Sequence, residues 1–363
     1  MSSQLKGMNI AGIGVVFTGG RGLASLDTSL RQGFVPPQMN EPSALEGSIP
    51  AYRVPEHILK DKSVLKGFRR ADRFCRMAVL AAWDAVQDSG VIFEAGSSSL
   101  GIIMASALGP HSTTFGFLDN VIDYGDNNVS PKLFSHSVHN TATFYIAKVL
   151  DSRGPCTTLT QFAFSFHEAL IAAEAWLAEG RCDYVLVGGV DETHTVMEHI
   201  SAQKLRIAND GRIRPFDFSE SPIAAPGEGA VFFLVTRQPT DKPHCRFASA
   251  STFDTKEIAK RPDIRMVDAD GMAGSESPYR GLDWRDVHAA GYSPIFGSTM
   301  IGTGFHCAAA ALMLKGQLRY ACPIKDNPHG LRLCERTEPA SIERIECVRF
   351  NCLGKKASVV LTR

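Results

Sequence analysis

Short, glycine-punctuated apolar runs alternate with alanine-rich helical stretches in this chain, and that alternation predicts an α/β protein. Three observations carry the prediction. Residues 8–17 form a β-branched apolar run broken by Gly12 and Gly14, as in a buried strand. Between residues 72 and 89, Phe74, Met77, Ala78, Leu80, Ala81 and Ala85 recur at helical spacing, and Gly90 closes the pattern. Near the end, residues 347–351 and 357–362 flank Leu353-Gly354-Lys355 as the arms of a hairpin.

The remaining elements follow in order. Residues 21–66 carry Pro36, Pro37, Pro42, Pro50 and Pro55 and are expected to be irregular. A strand is expected at 100–105, helices at 111–123 and 139–150, a short strand at 156–159, and an alanine-rich helix at 165–179. Strands at 184–190 and 230–236 come next. Residues 238–244, with Pro239 and Pro243, are the expected hinge between an N-terminal half, 1–237, and a C-terminal half, 245–363. The second half repeats the style in compressed form, with a strand at 265–268 and a small-residue helix at 305–316. Helices this rich in alanine suit a layer sandwiched between two sheets.

Composition narrows the function. Lys+Arg and Asp+Glu are 38 each, and no basic run exists, which argues against a nucleic-acid surface. The nine cysteines form no CxxC or CxxH pair, so neither a disulfide frame nor a zinc site is expected. The first apolar run is too short to span a bilayer and has no cleavage pattern, so a cytoplasmic protein is expected.

Several stretches together resemble the β-ketoacyl synthases of the thiolase fold. G-F-R-R-A-D-R-F (67–74) resembles the R-x-D-R-F helix start of that family, and Gly154-Pro155 its G-P lead-in. G-R-C-D-Y-V-L-V-G-G (180–189) is similar to G-x-x-D-x-x-(L/I)-x-G-G. R-P-F-D (214–217) followed by G-E-G-A (227–230) has the family spacing, and N-C-L-G-K-K-A-S (351–358) sits where the family has a glycine-rich turn. The resemblance implies two related halves in a layered α-β-α-β-α sandwich, with the C-terminal half shortened.

A decarboxylative condensing enzyme needs a thiolate at a helix N-terminus, where the dipole and free N–H groups stabilise negative charge, and two histidines that hydrogen-bond the substrate carbonyl. Counting from Gly154-Pro155, the resemblance places Ala163 at the cysteine position. A shifted alignment puts Gln161 there, as in some chain-length factors; Cys156 and Ser165 are the other nearby candidates. At the two histidine positions stand Asp270 and Thr303, and at the lysine position Ser298, with His306 a possible shifted equivalent. The four replaced positions leave no catalytic residue to name. His136 and His139 are spaced for a metal, but lack a third ligand, and are read instead as part of an interface helix capped by Ser135 or Ser137.

The resemblance therefore points to the chain-length factor of type II polyketide synthases, a non-catalytic subunit paired with an active ketosynthase. It implies a tunnel wall for the growing chain at His111, Thr114 and Leu118, whose i, i+3, i+7 spacing shares one helical face, and at Leu133, where the family reaches across the dimer. Plain core packing is the alternative for that face. The partners implied are a ketosynthase and an acyl carrier protein, whose phosphopantetheine arm carries the substrate; no cofactor of the chain's own is implied. Two other readings stay open: a rewired decarboxylase or acyltransferase using Ser165, Gln161 or Asp270, and an inactive homodimeric binding protein.

Overall fold

The computed structural model describes residues 7–41, 48–68, 70–125, 128–240, 243–253 and 260–363. Strand β1 (Met8–Phe17) is followed by α1 (Leu23–Gln32) and α2 (Arg73–Ser89). Then come β2 (Leu100–Ser106), α3 (His111–Tyr124), α4 (Pro131–Ser137), α5 (Thr141–Val149), β3 (Cys156–Thr160) and α6 (Ser165–Ala178). The first set closes with β4 (Tyr184–Asp191), α7 (Thr195–Lys204) and β5 (Gly229–Thr236). The second set is β6 (Arg246–Thr252), β7 (Ile264–Val267), β8 (His288–Ala290), α8 (Ser293–Phe296), α9 (Gly302–Gly316), β9 (Arg344–Phe350) and β10 (Lys356–Thr362).

The strands run β8-β7-β9-β10-β6-β1-β5-β4-β2-β3 across one continuous ladder. The first five strands lie in the order β1-β5-β4-β2-β3 and the last five in the order β6-β10-β9-β7-β8, so the second set repeats the permutation of the first. The pairing senses repeat too. The first two contacts in each set are antiparallel and the next two parallel. The two sets meet where β1 pairs antiparallel with β6, at Met8 with Phe247 and Asn9 with Arg246. Helices α6 and α9 each touch strands of both sets and form the middle layer, which is why their faces are built from alanine and glycine.

Local chemistry explains the main elements. Asp72 accepts the backbone N–H of Cys75 at 2.8 Å and caps α2, and Gly90 ends it at a left-handed φ of 66°. A Cβ at Gly12 or Gly14 would fall 2.1 or 2.0 Å from the carbonyl oxygens of Ala85 and Ala81, so the glycines of β1 let α2 lie directly on the strand. The C-terminal set is trimmed. Where three helices join β2 to β3, only a 3₁₀ turn, Ser277–Gly281, lies between β7 and β8 among the described residues.

Two expectations are corrected. Residues 21–66 are not wholly irregular, because Leu23, Leu26 and Leu30 set an amphipathic face and α1 forms before the prolines begin. Neither Ser135 nor Ser137 caps a helix. Ser130 accepts the N–H of Leu133 to start α4, while Ser135 and Ser137 donate back to the carbonyls of Lys132 and Phe134. Residues 241 and 242 of the expected hinge lie outside the described residues. No helix among the described residues is long and apolar enough to cross a membrane.

Candidate functional site

Two helix N-termini, those of α6 and α9, converge beside the carboxyl end of β7. Asp268 and Asp270 follow β7, and Arg349 reaches in from β9. Arg349 Nη1 donates to Asp268 Oδ2 at 2.7 Å and to the Thr299 carbonyl at 3.1 Å, and stands 3.5 Å from Asp270 Oδ2. All three charged side chains are about 1 % exposed. A charge this deep is tolerated only when paired and hydrogen-bonded.

The rest of the network adds further partners, leaving Asp268 Oδ1 and Arg349 Nε without a hydrogen bond among the described residues. Thr303 donates its hydroxyl to Asp268 Oδ2 at 2.7 Å. Asp270 accepts the N–H groups of Met272 and Thr299 at 3.0 and 2.9 Å. Ser298 accepts the N–H of Ala225 and donates to the Asp270 carbonyl. A Cβ on Gly302 would lie 2.4 Å from Asp268 Oδ1, so α9 starts on glycine to make room for that carboxylate.

Electrostatics divides the carboxylates. Burial works most strongly to raise Asp268, but the Arg349 charge, His306 and the hydrogen bonds from Thr303 and Arg349 together outweigh it and hold the carboxyl below its ordinary range. Burial lifts Asp270 to about 6 against the pull of Arg349. Burial also lifts Glu276, which accepts the Gly271 N–H at 2.8 Å, to about 8. Arg349 itself is held above its ordinary value by the two aspartates despite its burial.

His306 is not available as a carbonyl clamp. The Tyr292 N–H can only donate, so His306 Nε2 accepts it at 3.1 Å. The proton must then sit on Nδ1, which donates to the Gly302 carbonyl at 3.0 Å. Both ring nitrogens are spent within the fold, and burial keeps the ring neutral.

The N-terminus of α6 is closed as well. Ala163 sits in the turn leading into the helix, half-buried. The Gln161 side-chain oxygen accepts the Phe164 N–H at 2.6 Å, filling one of the donors that a helix start offers to an anion. Ser165 is fully buried and its hydroxyl has no partner among the described residues, so no base activates it. Cys156 is exposed on β3 with its thiol raised by partial burial, the opposite of an activated nucleophile. His136 is held by the Lys132 carbonyl and the Tyr145 hydroxyl at 2.8 Å each, and His139 is exposed.

The expected tunnel residues separate. His111 is buried and lines a small cleft of about 50 Å³ between the start of α3 and the Ser298–Met300 turn. Thr114 is half-buried, with its hydroxyl donated to the carbonyls of Pro110 and Ser137. Leu118 is 46 % exposed on the outer face of α3, and Leu133 is half-buried on α4, which packs on α3 through Phe117 and Phe134.

The quoted motifs hold the scaffold together. Glu228 of G-E-G-A is fully buried and accepts Arg73 Nε of R-A-D-R-F at 3.0 Å, together with the N–H groups of Val54 and Thr193. Asp191, after the Gly188-Gly189 pair, accepts Ser106, Ala107, Thr299 and Ile301, tying β2 and β4 to the start of α9.

Arg349 was missed in the sequence, where 347–351 reads as an ordinary closing strand. The available signal was charge in a buried strand: R-I-E-C-V-R-F places Glu346 and Arg349 among apolar neighbours, and such residues demand buried partners.

The family description "Beta-ketoacyl synthase, N-terminal domain" matches residues 7–240. The chain is 25 % identical over 197 residues to 3-oxoacyl-[acyl-carrier-protein] synthase 2 of Staphylococcus aureus, covering 53 % of this chain and 47 % of the relative. It is 28 % identical over 179 residues to the enzyme of the same name from Synechocystis sp., covering 47 % of this chain and 42 % of the relative. The matched part thus spans about half the length, or less, of these relatives.

Among solved structures, the ishigamide ketosynthase/chain length factor superposes with a TM-score of 0.79 at 16 % identity, covering 98 % of both chains. A β-ketoacyl synthase from Burkholderia phymatum superposes at 0.80 and 16 %, covering 99 % of both. A type II PKS acyl-carrier protein in complex with its ketosynthase gives 0.78 at 12 %, covering 99 % of this chain and 100 % of that one. At these identities the likeness is one of fold.

Proposed function

Because the chain belongs to the β-ketoacyl synthase family, and because a buried Arg349–Asp268–Asp270 network engages Asp270 and Thr303, the residues that the resemblance puts at the family's two histidine positions, we propose that it is a non-catalytic chain-length-factor subunit of a type II polyketide synthase. The network carries this reading. A condensing enzyme must present free donors to a substrate carbonyl and a nucleophile to an acyl group. Here Asp270 is an acceptor bound by backbone N–H groups, the Thr303 hydroxyl is committed to Asp268, and Ala163 has no nucleophilic atom.

The partner in this reading is an active ketosynthase, which carries out decarboxylative condensation of malonyl units delivered on the phosphopantetheine arm of an acyl carrier protein. The surface supports pairing. Among the described residues, strand β3 ends the sheet and has one unpaired edge, a natural site for a strand from another chain. Around it, α4, the link to α5, α5 itself and the turn after β3 carry exposed Phe134, Val138, Phe144 and Phe162. Apolar side chains clustered at a free sheet edge favour a protein partner. In the pair, His111, Thr114, Leu118 and Leu133 would border the chain-length tunnel.

The test is co-expression with a ketosynthase of a type II system, followed by affinity capture and size-exclusion chromatography. A one-to-one heterodimer is expected. A stable homodimer that ignores the ketosynthase would favour a separate binding protein.

A further inference from the structure

All nine cysteines are free thiols, and one pair of them has the surroundings of a redox couple. Cys322 and Cys334 stand at the two ends of segment 323–333, which carries no helix or strand. The Cys322 N–H donates to the Cys334 carbonyl at 2.7 Å, and the Cys334 N–H to the Ala289 carbonyl at 3.0 Å, so the two backbones are fixed side by side. The side chains meet as well, because the Cys334 thiol hydrogen-bonds the Cys322 sulfur. Both cysteines are buried, whereas Lys325, His329 and Arg332 between them are exposed.

The surroundings divide the pair into an attacking and a resolving sulfur. Burial works to raise the Cys322 thiol, but the Cys334 hydrogen bond, the N–H groups of Gly291 and Cys334 and the Lys325 charge together hold it below its ordinary value. The hydrogen bond to Cys322, together with burial, pushes the Cys334 thiol well up. A second touching pair, Cys307 and Cys347, lies fully buried in the core, and there burial first, then the hydrogen bond with Cys347, pushes the Cys307 thiol well up. Contact alone is common to both pairs; a stabilised thiolate belongs to Cys322.

We propose that Cys322 and Cys334 are a reversible disulfide site, with Cys322 the attacking sulfur, Cys334 the resolving sulfur and hydrogen peroxide, a small hydroperoxide, the oxidant. The Cys322 thiolate attacks one peroxide oxygen, the O–O bond breaks and hydroxide leaves, which gives a sulfenic acid on Cys322. The hydroxide takes up the proton that the Cys322 thiol had released. The Cys334 sulfur then attacks the Cys322 sulfur, the S–O bond breaks, and the departing hydroxide takes the Cys334 proton. Two thiols are oxidised to one disulfide and one peroxide is reduced to two waters.

The cross-link would tie a clasp shut. Within 323–333 the His329 ring stacks on Phe218 with centroids 5.4 Å apart, and its Nε2 donates to the Asp217 carbonyl at 2.9 Å. The Asp326 carboxylate stands 3.4 Å from Arg214 Nε. The segment thus closes over R-P-F-D, and joining its ends suppresses the local opening that a protease needs.

The test treats the full chain with hydrogen peroxide, removes the excess with catalase, unfolds the chain in N-ethylmaleimide and maps its peptides by mass spectrometry. The Cys322 and Cys334 peptides are expected to be joined, lighter by two hydrogens, and parted again by dithiothreitol, with Cys307 and Cys347 fully alkylated. In Cys334→Ser, dimedone should trap a sulfenic acid on Cys322. In the oxidised wild type, trypsin should cut after Lys325 roughly tenfold more slowly than in the reduced chain. Full alkylation of Cys322 and Cys334 at a peroxide dose that oxidises the exposed Cys156 overturns the proposal, and so does equal oxidation of Cys307 and Cys347. An unchanged rate of cutting after Lys325 in the cross-linked chain overturns the clasp. The wild-type peptide map gives its answer even if the serine variant fails to fold.

Discussion

Arg349 Nη1 lies 2.7 Å from Asp268 Oδ2, with both side chains about 1 % exposed, and the pair touches Asp270 and Thr303, which the sequence resemblance puts at the two histidine positions. Breaking such a pair leaves one charge buried alone, which costs about 3–5 kcal/mol. Arg349→Met should therefore lower unfolding free energy by about that much in urea titration, and adding Asp268→Asn should recover part of the loss. Additive losses in the double variant would show that the two residues do not act as a pair.

The same closure predicts that activity cannot be restored piecemeal. The triple variant Ala163→Cys, Asp270→His, Thr303→His supplies the three missing side chains but leaves Arg349 in place and Gln161 on the Phe164 N–H. Its condensation rate should stay at least roughly 10³-fold below that of a working ketosynthase. Product formation within an order of magnitude of the working enzyme would mean that the network is no obstacle.

Stability should depend on pH through the buried carboxyls. Glu276 and Glu192 are raised to about 8 from an ordinary 4.5, so the folded chain binds more protons than the unfolded chain between those values. Stability is then full below about pH 4.5 as far as these two groups are concerned, and falls as pH rises toward 8. Glu276→Gln, isosteric and never charged, should flatten the decline in unfolding free energy measured between pH 5.5 and 8.5. An unchanged slope would mean that Glu276 titrates normally.

The free edge of β3 gives a binding prediction. Phe144 and Phe162 are 58 % and 52 % exposed, so Phe144→Asp with Phe162→Asp should leave the thermal midpoint of the isolated chain nearly unchanged, as surface substitutions do. Affinity for the ketosynthase should weaken by at least about 2 kcal/mol if these are central contacts. Undiminished heterodimer in calorimetry would place the interface elsewhere.

Length control follows from exclusion. Thr114→Ala or Leu118→Ala in the reconstituted pair should shift products toward longer chains, because removing bulk from a tunnel wall admits another unit. An unchanged product profile by mass spectrometry in both variants would remove α3 from the tunnel.

Much of the fold was legible in the sequence because local and global signals agree there. The glycines of β1, the Asp72 cap with Gly90, and the hairpin at Gly354 each declare their element through backbone chemistry. Helix α1 was hidden because the prolines after it dominate the composition of 21–66, although none lies within it. At the site, counting within motifs singled out residues 163, 270 and 303. Their arrangement could not be read, because Arg349 and Asp268 are 81 residues apart in sequence and only the sheet brings them together. The spent ring nitrogens of His306 likewise depend on a backbone N–H fourteen residues away.

The central claim is that this chain performs no acyl chemistry of its own. Intact-mass analysis of both subunits of the co-purified pair, after incubation with malonyl- and acetyl-loaded acyl carrier protein, tests it most directly. The acyl increment should appear on the ketosynthase alone, with this chain at its unmodified mass. A stoichiometric acyl increment on this chain would contradict the account.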